Sequence, residues 1–118
     1  MVRGVVIDHS PYVEVEVFGN RSQTVVTALL DTGFSADLCL PIEIGIALGL
    51  ELWDVVETEL ADGTLNLEPS YSAHINWNGE LRMVDVILTY SDEALVGTGL
   101  LEGKSVNIDF RTGEVMIE

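Results

Sequence analysis

The chain has 118 residues, 47% of them hydrophobic, which is enough for one packed core and too apolar for disorder. Five Lys and Arg stand against 20 Asp and Glu, a formal charge of -15. That balance leaves no basic face for nucleic acid, disfavours anionic membrane surfaces, and favours cationic or neutral partners.

From the N-terminus, Met1 to Pro11 lacks the apolar run of a signal peptide. Val13, Val15 and Val17 alternate with Glu14 and Glu16, the pattern of a half-buried strand. Gly19-Asn20 marks a turn, and Thr24 to Leu30 reads as a strand buried on both faces. Pro41 and Gly49 bracket a short helix carrying Ile42, Ile44, Ala47 and Leu48. Tyr71 to Trp77 alternates, Asn78-Gly79 turns, and Leu81 to Thr89 returns, which is a strong hairpin signal. Gly99 to Glu102 can make one helical turn closed by Gly103. Val106, Ile108 and Phe110 alternate, and Arg111-Thr112-Gly113 turns the chain into a last strand, Glu114 to Ile117. No linker or repeat interrupts residues 1–118. The expectation is a single mainly β domain with short helices, closed or partly closed into a barrel. No stretch approaches the ~18 uninterrupted apolar residues of a membrane span. The lone cysteine, Cys39, suits a reducing compartment, so the expected location is the cytoplasm.

One motif carries chemistry. Asp31-Thr32-Gly33 follows a hydrophobic strand directly, and a charge at such a point must be solvated, paired or functional. Gly33 permits a sharp turn and close approach of a ligand. By itself the tripeptide is common and fits an ordinary strand-end turn.

The longer run Thr27-Ala28-Leu29-Leu30-Asp31-Thr32-Gly33 resembles the active-site segment of retropepsin-like aspartic peptidases. Downstream, Leu95-Val96-Gly97 before Thr98-Gly99-Leu100-Leu101 resembles that family's second element, two hydrophobic residues and Gly ahead of a short helix. Between them Ala61-Asp62-Gly63-Thr64 looks like the tip of the family's flap. The three elements occur in the family order and the resemblance spans nearly the whole chain. It implies a retropepsin-like acid protease barrel of one lobe with short helices, assembled as a two-fold homodimer. It further implies an aspartic endopeptidase acting on peptide or protein substrates, with no cofactor and no metal. Asp31 takes the position of the catalytic aspartate. Gly33, Phe34, Ala61, Asp62, Gly63, Leu95 and Val96 take substrate-binding positions, and Thr32 and Gly97 support the site and the dimer. The family chemistry needs two carboxylates sharing one proton around one water, the aspartic-protease dyad that serves as a standard example of coupled carboxylates. One Asp-Thr-Gly per chain implies that a second copy supplies the other Asp31.

There are departures from the viral pattern. Phe34 follows the motif where viral relatives often carry Ala. Ser35 and Thr98 stand where those relatives often place an Asp–Arg ion pair, so both partners of the pair are missing together. The tail from Lys104 to Glu118 reads as a hairpin rather than one end strand. An alternative within the same fold is a catalytically silent dimerisation or peptide-binding module, and a third reading is a plain β domain with a chance Asp-Thr-Gly. Gly97-Thr98-Gly99 lacks the spacing of a dinucleotide loop, and His9 and His74 stand alone, which argues against a zinc site. Cys39 reads as a small buried apolar residue.

Overall fold

The structure is a computed structural model that describes the backbone of residues 1–118 and every side chain except that of Thr58. It is mainly β, 59% strand and 9% helix. Ten strands run in chain order: β1 (Val2–Ile7), β2 (Ser10–Phe18), β3 (Gln23–Leu30), β4 (Leu38–Pro41), β5 (Glu51–Glu59), β6 (Leu65–Trp77), β7 (Glu80–Thr89), β8 (Ala94–Val96), β9 (Val106–Asp109) and β10 (Glu114–Ile117). Two short helices, α1 (Ile42–Leu48) and α2 (Thr98–Leu101), fall where Pro41, Gly49 and Gly103 punctuate the sequence. No helix among the described residues is long and apolar enough to cross a membrane.

The strands form one sheet in the order β5-β6-β7-β4-β8-β3-β2-β1-β10-β9, and an additional β2–β6 pairing joins its middle to itself. Glu16, Val17 and Phe18 pair there with Asn76, Ile75 and His74, so β2, β3, β8, β4, β7 and β6 close into a ring of pairings. Period-2 alternation fills the inside of that ring. Val13, Val15 and Val17 point in from β2, Val26, Ala28 and Leu30 from β3, Ala73, Ile75 and Trp77 from β6, and Val84 and Val86 from β7. Leu38, Leu40, Val96 and Leu100 join the same cluster. Burying such side chains removes apolar surface from water and is the main force that closes the ring.

The strand Thr24–Leu30 departs from its reading as a strand buried on both faces. Val25 is 56% exposed, and only Val26, Ala28 and Leu30 are buried. The reason is position: β2 and β8 flank β3 edge to edge, but no layer covers its outer face near the Gln23 end. Strand β1 was not legible as a strand, because its apolar residues follow no clean alternation. It pairs antiparallel with both β2 and β10 and carries the β9–β10 hairpin on the body. Core contribution in that hairpin comes from Val115 and Ile117, whereas Phe110 stays exposed in the turn. The β6–β7 hairpin turns on Asn78-Gly79, both with positive φ, 56° and 81°, as a two-residue type I′ turn requires.

Hairpin β5–β6 extends past the ring as an arm. β6 pairs with β7 only from Tyr71 onward, while Leu65 to Ser70 pairs with β5 alone. Val55, Leu60, Leu65 and Leu67 are exposed along it.

The two regions should respond differently to truncation. Ile75→Ala, within the ring closure, is expected to cost about 2–5 kcal/mol. Leu67→Ala on the arm, where the residue is 74% exposed, should change stability by less than about 0.5 kcal/mol. Urea unfolding of both variants checks this, and comparable losses would contradict the placement of the core.

Candidate active site

Strand β3 ends at Leu30 and β4 begins at Leu38, yet the two are not neighbours. β8 lies between them, parallel to β3 through Ala28↔Ala94 to Leu30↔Val96 and antiparallel to β4 through Leu38↔Val96 and Cys39↔Leu95. The connecting loop, residues 31–37, therefore arches over the end of β8, and backbone bonds pin it there. Asp31 N–H donates to Val96 O at 2.9 Å, Gly97 N–H to Asp37 O at 3.0 Å, Thr98 N–H to Phe34 O at 2.8 Å and Gly99 N–H to Ala36 O at 3.2 Å. These ties satisfy polar groups that the fold would otherwise bury unpaired.

Two glycines make the approach possible. A Cβ on Gly97 would lie 2.1 Å from Ala36 O and 2.6 Å from the Phe34 ring, and one on Gly99 would lie 2.3 Å from Asp37 Oδ1. The Phe34 ring thus occupies the space that Gly97 leaves open.

Within the loop, Asp31 Oδ1 accepts from Gly33 N–H at 2.8 Å, and Asp31 O accepts from Phe34 N–H at 3.1 Å. The half-buried carboxylate is thereby aimed by its own loop into a cleft of about 280 Å³. Gly33, Phe34 and Leu95 line that cleft with Asp31, and the arm reaches over it with Glu59, Leu60 and Ala61. Cys39, Ile87, Leu88, Thr89 and Glu68 complete the wall. The geometry brings the Asp31 carboxylate under a β-hairpin tip, with Glu59 and Glu68 on the same cleft.

Not every expected residue faces this cleft. Asp62 and Gly63 sit at the outer side of the tip, where Asp62 Oδ1 accepts from Thr64 N–H at 2.9 Å. A hydrogen bond from the Thr64 side chain first, and that backbone bond second, hold the exposed Asp62 carboxyl below the usual carboxylate range. The turn gains from them above that range and loses them as pH falls through the lowered value. Val96 is fully buried beneath the loop, and Gly97 lies under Phe34. Thr32 opens away from Asp31 into a second, shallower concavity of about 570 Å³ with Ser35, Thr98, Gly99, Leu101, Glu102, Lys104 and Val106. That space is larger, but it contains no carboxylate from the motif.

Burial first, and the Glu68 charge second, push the Cys39 thiol up to about 11, so it is a thiol rather than a nucleophilic thiolate near neutral pH. No group of His, Cys, Asp and Glu that could hold a metal ion is found among the described residues. Sequence reasoning passed over Glu59, Glu68, Asp37 and Asp85. The available signal for Asp85 was a charge inside the apolar run Val84 to Leu88.

No family profile matches the sequence, and no curated protein matches it. The fold is similar to the crystal structure of a retropepsin-like aspartic protease from Rickettsia conorii, with a TM-score of 0.64, covering 99% of this chain and 88% of that one at 19% identity. The likeness is one of fold.

Gly97→Ala is expected to destabilise the protein by at least about 2 kcal/mol, because the methyl meets backbone on one side and the Phe34 ring on the other. Ser35→Ala, on the exposed part of the same loop, should stay within about 0.5 kcal/mol. Urea unfolding distinguishes them, and a neutral Gly97→Ala would show that the loop is not held closely against the end of β8.

Proposed function

We propose that the protein is an aspartic endopeptidase that works as a homodimer, with Asp31 of each protomer forming the catalytic pair. The observation that carries this reading is the position of Asp31: a carboxylate aimed by its own loop into a cleft that a β-hairpin arm covers. The likeness of fold to a retropepsin-like aspartic protease supports it.

One carboxylate cannot both activate a water and donate a proton to the scissile carbonyl. Two at close range share a single proton, so one member acts as general base and the other as general acid. Peptide hydrolysis follows: the water adds to the carbonyl carbon, its proton passes to the base, and the tetrahedral intermediate collapses as the amine leaves protonated. The second carboxylate comes from a second copy across a two-fold axis. Thr32 is the residue whose hydroxyl would bond across that axis, and its exposure beside Asp31, outside the cleft, supports this role. Gly33 has its N–H committed to Asp31, so its carbonyl is the group offered to a substrate N–H. Phe34, Leu95 and Ala61 form apolar walls, while Val96 and Gly97 act from below, by supporting the loop. Asp62 and Gly63 shape the flap tip. Among the described residues Glu59 and Glu68 line the cleft and no Lys or Arg does, which favours neutral or cationic peptide over acidic peptide. The single free cysteine fits a cytoplasmic protein.

Phe34 also fits a second reading, a module that binds peptide without cutting it, since its ring narrows the cleft beside Asp31. A broad peptide library incubated with wild type and with Asp31→Asn separates the two. Asp31→Asn should lower cleavage by about 10²–10⁴-fold with an unchanged urea midpoint. Undiminished cleavage by the folded variant rules out the mechanism, and a wild type that retains peptides without cutting them supports the silent module.

Acidity and salt should act on assembly as well as on chemistry. Activity is expected to peak below neutral pH, because the pair loses its shared proton as pH rises. The formal charge of -15 per chain opposes pairing of two chains at neutral pH. Salt screens that repulsion over about 8–10 Å, so dimerisation should strengthen with added salt and with mild acid. Sedimentation at several salt concentrations with a pH–rate profile tests both. An alkaline optimum removes the shared-proton argument, and dimer loss on adding salt removes the charge argument.

A further inference from the structure

Outside the cleft, a chain of side chains links the arm to the Asp31 loop. On β5 the register jumps between Leu52, opposite Tyr71, and Asp54, opposite Ser70. Trp53 is therefore the extra residue of a β-bulge, a device that redirects a side chain and twists a strand. Its indole Nε1–H reaches past β6 and donates to Asp85 Oδ1 on β7 at 2.7 Å. Ser70, on β6 and fully buried, donates its hydroxyl to the same oxygen at 3.2 Å. The Asp85 backbone N–H donates to Asp37 Oδ2 at 3.0 Å. Asp37 ends the loop that begins at Asp31, and its carbonyl accepts from Gly97 N–H at 3.0 Å. One carboxylate thus receives a bond from each arm strand, and its backbone is tied to the far end of the Asp31 loop.

We infer that Trp53 and Asp85 form a clasp that sets the height of the flap above Asp31, and that both are positioning residues for hydrolysis. Among the described residues β5 pairs with β6 alone, and the arm's apolar residues Val55, Leu65 and Leu67 are exposed. Hydrogen bonds to a carboxylate are stronger than neutral ones, and Ser70 would keep a buried, unsatisfied hydroxyl if the acceptor moved away. Flap position and loop position are consequently coupled through one residue, Asp85, whose carboxylate holds the arm and whose backbone N–H holds Asp37. The clasp itself stands on these contacts, and its catalytic consequence rests on the peptidase reading.

Amide hydrogen exchange on the full chain tests the clasp without any substrate. Trp53→Phe and Asp85→Ala should each speed exchange along Val55 to Leu67 by about tenfold, leaving β2 and β3 unchanged. The double variant should be no faster than Asp85→Ala alone, because that substitution already removes the bond Trp53 makes. Asp85→Asn keeps a carbonyl oxygen as acceptor and should stay within about threefold of wild type. Unchanged arm exchange in both single variants, effects that multiply in the double, or acceleration spread evenly through the sheet would each overturn the proposal. With a fluorogenic peptide of neutral or basic sequence as substrate, the single variants should raise KM several-fold with kcat within about twofold, since binding must now order a looser flap. A fall in kcat at constant KM would count against positioning. Wild type that leaves a library of neutral and basic peptides intact would tell against the peptidase reading, while the exchange rates would still decide the clasp.

Discussion

Strand β8 is wedged between β3 and β4, and the loop carrying Asp31 depends on that wedge for its shape. A seven-residue loop joining neighbouring strands would be free to sample many conformations, at about 1–2 kcal/mol of backbone entropy per residue once ordered. Here its ends are held apart by a third strand, and four backbone bonds from residues 31 and 97–99 fasten the loop to the β8 end. Asp31 is consequently ordered before any ligand arrives, and preorganisation of this kind is what makes an electrostatic site effective. Gly97 and Gly99 are the steric condition for it, because a methyl at either position would occupy space held by the loop.

The same wedge explains how the chain does without an ion pair between Ser35 and Thr98. Thr98 still meets the loop, but through its backbone N–H and its hydroxyl, which both donate to Phe34 O, at 2.8 and 3.4 Å. Asp37, two residues further along, supplies the carboxylate that ties the loop to β7. Bonds between backbone groups and one carboxylate hold the loop without a buried pair of opposite charges, and they avoid the desolvation that such a pair requires. Phe34 then takes the space above Gly97 and becomes part of the cleft wall.

Charge and apolar surface are distributed unevenly over the molecule. The core holds one polar residue among the described residues, Ser70, while the excess of carboxylates lies on the outside. The arm presents Val55, Leu60, Leu65 and Leu67 to solvent although water is a poor environment for them. The backbone of this hairpin is ordered by pairing along its length, while these apolar side chains stay exposed.

Much was legible from residues alone. Alternation set the faces of β2 and β6, because a half-buried strand must repeat every two residues, and Asn78-Gly79 specified a hairpin because its turn needs two positive φ angles. Asp31-Thr32-Gly33 stood out because a charge after an apolar strand requires a reason. Tertiary structure decided the rest. Strand β1 and the exposed face of β3 depend on which neighbours cover them, and no local pattern records that. The wall residues Glu59, Glu68 and Ile87 and the Trp53–Asp85–Asp37 chain join positions far apart in sequence through sheet register and one bulge. Periodicity tells a side chain which face of its own strand it occupies, but only the pairing of strands determines what it meets there.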